Sequence, residues 1–495
     1  MQSTRRQLLT GLGALVLAPG AGPAAVPVPL RDILDRAAAA GGPAQMLAVL
    51  GAASRAGLDR TDRSVLRMVT RGLEREMELR RLFPFGKADL GSPYVVSQRQ
   101  GAWLQLHEPG DKARQLDEET ERLRADAALG VSPPDFILDQ VVRAERALLS
   151  GAAPDARAAL GRQIETLERL RASAASAPGV WRLPRGEEYY RLRLRCASGL
   201  DAAPAEIERR VAAETANLLG RADDLLSRLG LGEGSVGARL RALKWRPEYL
   251  YRNDDWGRSR AVAEMNQALA RLRPRLPSLF NPPLEIGSSV RRMSPADEGA
   301  ARRGYRDPAT PAGPGAYYPD LSAVDERPAW TLTTVAFHET IPGHLLQLGR
   351  QRLADPHPLQ LRHAPGYAEG WAIYAENLAA AMGVMTPVEE LGFIQSFLFR
   401  LARVTADIGL HLRRWDRARA LRYLEETVGF ELFFPFAVEV DRYAAEPAGF
   451  AGDAMVALEL RRLRPERDAR LRAFHDSVLN RGPLSTEAIA GNGPV

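Results

Sequence analysis

Apolar residues recur along most of this chain at three- and four-residue intervals, the spacing that places them on one face of an α-helix. Between Pro204 and Gly230 the series Ile207, Val211, Leu218, Ala222, Leu225 and Leu229 predicts a long helix that begins at the proline and stops at the glycine. Ser132-Pro133-Pro134-Asp135 offers a start for another helix over Phe136 to Leu149, with Gly151 to end it. These stripes read as core packing and not as a cofactor-binding surface. Pro and Gly gather around Asn281-Pro282-Pro283 and again from Asp307 to Pro319. Within that region Leu284-Glu285-Ile286 and Ser289-Val290 suggest a short strand pair with the next stretch of chain. The pattern predicts a mainly α fold with a small β element. A soft boundary near residue 285 separates a helical part (25–285) from a part that holds the chemistry (286–495), both in one compact body.

Composition narrows the class. With 495 residues, 45% of them apolar and 26% charged, the chain is neither a disordered tail nor a small disulfide scaffold. Its mean hydropathy of -0.25 excludes a polytopic membrane protein. Sixty-seven basic against 61 acidic side chains give +6, but only Lys87, Lys112 and Lys244 are lysines. The arginines are interspersed with acids at helical spacing and form no dense run with aromatics, so nucleic acid is not expected as a partner.

The N-terminus changes the picture more. Ser3-Thr4-Arg5-Arg6-Gln7-Leu8-Leu9, a short apolar run to Ala18 and small residues to Ala25 resemble a twin-arginine export signal, with residues 1–24 removed. Loss of Arg5 and Arg6 leaves 65 basic side chains against 61 acidic, or +4. The expectation is a periplasmic or secreted protein that meets the twin-arginine machinery in transit and has no stable membrane association afterwards. Cys196, the only cysteine, rules out an intrachain disulfide or a thiolate metal cluster and reads as structural.

Two of the seven histidines lie in Phe337-His338-Glu339-Thr340-Ile341-Pro342-Gly343-His344, and Tyr367-Ala368-Glu369-Gly370-Trp371-Ala372-Ile373-Tyr374-Ala375-Glu376 comes shortly after. Two imidazoles and a carboxylate around a metal, with a glutamate beside the first histidine to take a proton from water, is the logic of zinc hydrolases. Histidines four apart differ by about 40° around a helix, but six apart they differ by about 240° and face different sides. Pro342 and Gly343 can let the turn bulge and return His344 to the same side. Glu369 and Glu376, seven apart, share a helix face. His338, His344 and Glu369 are the expected ligands of one Zn²⁺, with Glu376 orienting a ligand histidine. The rivals are Glu376 or His363 as a ligand, or a helical hairpin in which these side chains only cap and hydrogen-bond.

HETIPGHLLQ with the flanking GAYYPDLS, Arg327-Pro328 and YAEGWAIYAE, together with the Arg400 to Tyr443 stretch, resembles the domain-of-unknown-function-885 family, which is placed with the zincin-like metallopeptidases. Ser92 to Leu106 and Gly186 to Arg195 fit its pattern too. The resemblance implies a zincin-like, gluzincin-type helical body with a deep central cleft. It also draws in the Asp407-x-Gly409-x-His411 and Glu439 to Tyr443 segments. From these, Tyr443 or His411 would stabilise an oxyanion and Arg442 would grip a substrate carboxylate, with Tyr317 and Tyr318 lining the cleft. The chain departs from the family pattern at Leu345, where a second histidine is common, and at Glu206-Ile207-Glu208.

The sequence therefore reads as an exported zinc peptidase in which Glu339 moves the proton. The competing readings are a metal hydrolase of another amide or ester bond, and a non-catalytic periplasmic binding protein with a vestigial metal site.

Overall fold

The computed structural model describes residues 29–86, 91–282, 288–299, 303–309, 313–432, 434–466 and 469–491. The export segment and Leu284-Glu285-Ile286 lie outside them. Helices dominate the described residues, and the stripes account for their faces. Pro204–Arg228 is one helix whose Ile207, Val211, Leu218, Ala222 and Leu225 are buried. Asp135–Leu148 buries Ile137, Leu138, Val141 and Val142 in the same way.

The helix Pro387–Leu412 is the central strut. Thr386 caps it with a reciprocal bond to Glu389, and Pro387 occupies its first turn, where a missing N–H costs nothing. It is buried around nearly its whole circumference because helices cover it on several sides. Pro204–Arg228, Ala329–Glu339, Arg417–Thr427 and Phe436–Ala445 all pack against it.

The β element is a sheet of three short strands in the order β1 (Ser288–Val290), β3 (Gly315–Tyr318), β2 (Tyr305–Asp307). β1 runs parallel to β3 and β2 antiparallel to it. Arg306 sits opposite Tyr317, and Tyr305 opposite Tyr318. Cross-strand partners share a face and successive residues alternate, so Arg306 and Tyr317 point to one side and the two other tyrosines to the opposite side.

Among the helices away from the sheet, Glu145 stands out. It is fully buried on Asp135–Leu148, and neither carboxylate oxygen has a hydrogen-bond partner. Burial, with a smaller push from Glu119, raises it to about 8. The folded state thus holds a proton that the unfolded chain releases near pH 4.5. Stability should be fully present below pH 4.5, fall as pH rises to about 8 and then level off, by roughly 4–5 kcal/mol at 1.4 kcal/mol per unit. Glu145→Gln removes the charge, so urea unfolding at pH 5, 7 and 9 should show the variant overtaking the wild type as pH rises. Parallel pH profiles for the two proteins would refute this.

Candidate metal centre

The helix Ala329–Glu339 carries His338 near its C-terminal end, and the next helix, His344–Ala354, begins with the second histidine. The expected bulge within one helix is instead a complete break. Thr340 leaves helical geometry at φ -113° and ψ -110°, and Ile341–Pro342 is a cis peptide. The chain then folds back tightly enough for the Gly343 N–H to donate to the Phe337 carbonyl at 3.1 Å. A β-carbon on Gly343 would lie 2.0 Å from the His338 carbonyl oxygen, so the close approach requires glycine. Trp371, on the helix Tyr367–Ala381, clamps the loop by donating from Nε1 to the Pro342 carbonyl at 2.9 Å.

This return brings the two imidazoles to 4.8 Å between centroids, at 85° to one another. Glu369, in the first turn of Tyr367–Ala381, lies across both. Its Oε2 is 3.5 Å from His338 Nε2 and its Oε1 is 3.3 Å from His344 Nε2. One nitrogen from each histidine and one oxygen of Glu369 all lie within 4.8 Å of one another. Two turns further along, Glu376 accepts from His338 Nδ1 at 2.6 Å and from Ser396 Oγ at 3.1 Å. A carboxylate can only accept, so a proton sits on Nδ1, and Nε2 is the nitrogen turned to the centre, where a cation would take the place of its proton.

The donor set fits a metal ion. Ligands held about 2.0–2.1 Å from a tetrahedral zinc stand about 3.3–3.4 Å apart; the two Glu369 contacts come close to this, and the whole donor set lies within 4.8 Å. The buried His344 Nε2 makes no well-directed hydrogen bond although Glu369 Oε1 is 3.3 Å away, and a cation between them would satisfy both. Electrostatics agree with a site that demands positive charge. Burial alone would lower His338, but hydrogen bonds and charge from Glu369 and Glu376 outweigh it and carry the ring up to about 10. Burial holds His344 below its ordinary value. Glu369 is driven far below the usual carboxylate range, because both histidines overcome its own burial.

Glu339 lines a cavity of about 420 Å³ with His338, Glu376, Tyr317 and Arg400. Its carboxylate is ion-paired with Arg306 on β2. Tyr317 shares that face, and burial, with the charge of Glu339 behind it, pushes its phenol well above the ordinary value, so it remains an O–H donor. Arg400 donates to Ser396 Oγ at 3.3 Å and stands 3.9 Å from Glu369 Oε2. Asp453 is a further neighbour: burial pushes it up to about 6 among Arg403, Glu369 and Arg400. Arg306, Ser396, Arg400 and Asp453 were not foreseen as site residues. Each lies on an element whose approach to the histidines is purely tertiary, and no spacing in the chain announces it.

Other expected site residues stand elsewhere. His411 is fully buried, with Val180 N–H donating to its Nδ1 at 3.0 Å and its Nε2 3.0 Å from the Tyr443 carbonyl, so both nitrogens are committed to backbone. Tyr443 packs in a core cluster with Phe399 and Phe436, against Phe450, and does not line the cavity. Arg442 is held by Glu439 at 2.6 Å and lies over Phe434 and Phe450. Tyr318 stacks on Tyr305 at 4.7 Å on the sheet face away from Glu339. His363 faces Glu76 at 3.6 Å and is not among the grouped donors. The Asp407 segment is a structural clamp, its carboxylate accepting from Tyr190 and from the Ala448 N–H.

The family described as "Bacterial protein of unknown function (DUF885)" matches residues 35–491. No curated protein matches the chain. A solved structure described as a "putative lipoprotein" from Colwellia psychrerythraea superposes with a TM-score of 0.73 at 23% identity, covering 93% of this chain and 90% of that one. A "putative lipoprotein of unknown function" from Shewanella oneidensis gives a TM-score of 0.63 at 15% identity, covering 93% and 91%. At these identities the likeness is one of fold.

Proposed function

Because this chain belongs to the DUF885 family of bacterial proteins of unknown function, its activity must be read from the site itself, and we propose that it is a zinc-dependent hydrolase, most simply a peptidase. The observation that carries this reading is the convergence of His338, His344 and Glu369 beside an adjacent Glu339 at the wall of a cavity. A zinc ion held by those three would polarise a substrate carbonyl and make a water nucleophilic at neutral pH. Glu339 would accept a proton from the attacking water and return it to the leaving amine. Arg306 holds that carboxylate in place. Tyr317, on the same face, supplies an O–H to the oxygen that gains charge in the tetrahedral intermediate, the role that buried Tyr443 and His411 are not placed to fill.

Peptide and ester libraries presented to the zinc-loaded protein test the substrate class. Cleaved peptides, read by mass spectrometry, support a peptidase, and cleavage confined to esters rejects it. Tyr317→Phe is expected to lower kcat by about 100-fold, the usual cost of removing one oxyanion donor, with bound zinc unchanged. An undiminished kcat removes Tyr317 from the mechanism. We further propose that the protein is exported by the twin-arginine pathway. Arg5-Arg6 with the following apolar run supports this pathway, and the description of both structural neighbours as "putative lipoprotein" fits export without naming a route. Substitution of both arginines by lysine should hold the protein in the cytoplasm.

A further inference from the structure

A second cavity, of about 260 Å³, lies behind the N-terminal turn of the helix that carries Glu369. Gly366 and Gly452 form the wall between them, and they touch so closely that a β-carbon on Gly366 would meet the Gly452 carbonyl carbon at 2.0 Å. None of its lining belongs to the proposed hydrolytic site. Its charged lining consists of Arg71, Arg75, Arg193 and Arg362 against Glu76 and Glu487.

The ion pairs leave an imbalance. Arg362 is matched by Glu76 at 2.7 Å. Arg71 and Arg75 share the carboxylate of Glu487, at 3.3 and 3.1 Å, and Arg71 also stands 3.8 Å from Asp201. Arg193 has no ion pair or hydrogen bond among the described residues, and its Nε is buried without a partner. Its guanidinium lies over the Gly91 backbone, 2.7 Å from where a β-carbon would stand. Arg193 is half-buried with its Nε shut off from water, and a planar fork of donors without a counter-charge among the described residues is suited to an oxyanion. His363 adds a second polar atom without a partner: the residue is 5% exposed, its Nδ1 is 3.6 Å from Glu76, its Nε2 has no partner, and burial with Arg362 beside it holds the ring down to about 4.

We propose that this cavity is a binding site for a small oxyanion, a phosphate or a dicarboxylate, that pairs with Arg193 and shares Arg71 and Arg75 with Glu487. The unpaired Arg193 sets the sign of the ligand's charge, and the volume limits it to a group of few heavy atoms.

Isothermal titration of the full-length zinc-loaded protein with inorganic phosphate, and separately with succinate, at low ionic strength tests the site. One equivalent of one of these should bind, and Arg193→Met should weaken it at least ten-fold while the anion-free variant unfolds no earlier than wild type. Binding of phosphate alone assigns a phosphoryl ligand, and binding of succinate alone a dicarboxylate. Should Arg193→Met fail to fold, the rise in unfolding temperature with phosphate or succinate, against chloride at matched ionic strength, gives the same reading on wild type. Binding that survives Arg193→Met, or equal protection by chloride, or no binding of either ligand, overturns the proposal.

Discussion

Replacement of Glu339 by glutamine is expected to lower kcat for peptide hydrolysis by about 1,000-fold while the protein keeps its zinc and its fold. A positioned general base contributes about 10²- to 10⁴-fold, and glutamine fills the same volume without accepting the proton. Glu339 is not among the grouped metal donors, so zinc content should not change. The substitution also breaks the ion pair with Arg306, whose side chain is about one-third exposed. Pairs that reach solvent contribute about 1 kcal/mol or less, far too little to unfold the protein, so lost activity cannot be assigned to lost structure. Stopped assays with metal analysis on the same sample check both halves. A kcat within a few-fold of wild type would take the proton-transfer role away from Glu339.

Gly343→Ala should disassemble the donor set without touching a donor. Its β-carbon would lie 2.0 Å from the His338 carbonyl oxygen and 2.5 Å from that of Phe337, both backbone atoms that cannot swing aside. Relief requires the helices Ala329–Glu339 and His344–Ala354 to part, which costs about 1–3 kcal/mol as overpacking. The larger consequence is at the site, where donors must hold to within about 0.5 Å. Zinc affinity is expected to fall by at least about 100-fold. Gly220, in the interior of Pro204–Arg228, has nothing within 4 Å of its β-carbon position. Gly220→Ala should therefore stabilise by about 1 kcal/mol and leave zinc affinity alone. Equal zinc affinity in wild type and Gly343→Ala would show that the close turn does not set the donor geometry.

Much of this was legible from local pattern. The six-residue interval between His338 and His344 demanded a departure from helical geometry, and Pro342-Gly343 announced where it falls. Its form was not legible: a bulge and a full break satisfy the same local constraint, and Trp371 from a later helix holds the loop observed. The seven-residue interval of Glu369 and Glu376 correctly put both on one helix face, since that relation is intrinsic to the helix. Tyr317 and Tyr318 could not be told apart until the register of β3 against β2 assigned them to opposite faces. His411 and Tyr443 carry chemistry-bearing side chains, but both are buried in the core away from the cavity, His411 bonded to backbone at each nitrogen, which no motif records. Arg306 lies in the Pro- and Gly-rich connection, where periodicity gives no information, and only strand pairing delivers it to Glu339.

The central claim is that one metal ion, held by His338, His344 and Glu369, makes the site hydrolytic. The most direct test is to strip the purified protein with a chelator and restore zinc in measured steps while following cleavage of a peptide library by mass spectrometry. Hydrolysis should be absent from the stripped protein, return in proportion to zinc and saturate at one equivalent, and stay absent in a His344→Ala variant at the same zinc. Hydrolysis that persists without metal, or a wild-type protein that takes up no zinc, would contradict the account.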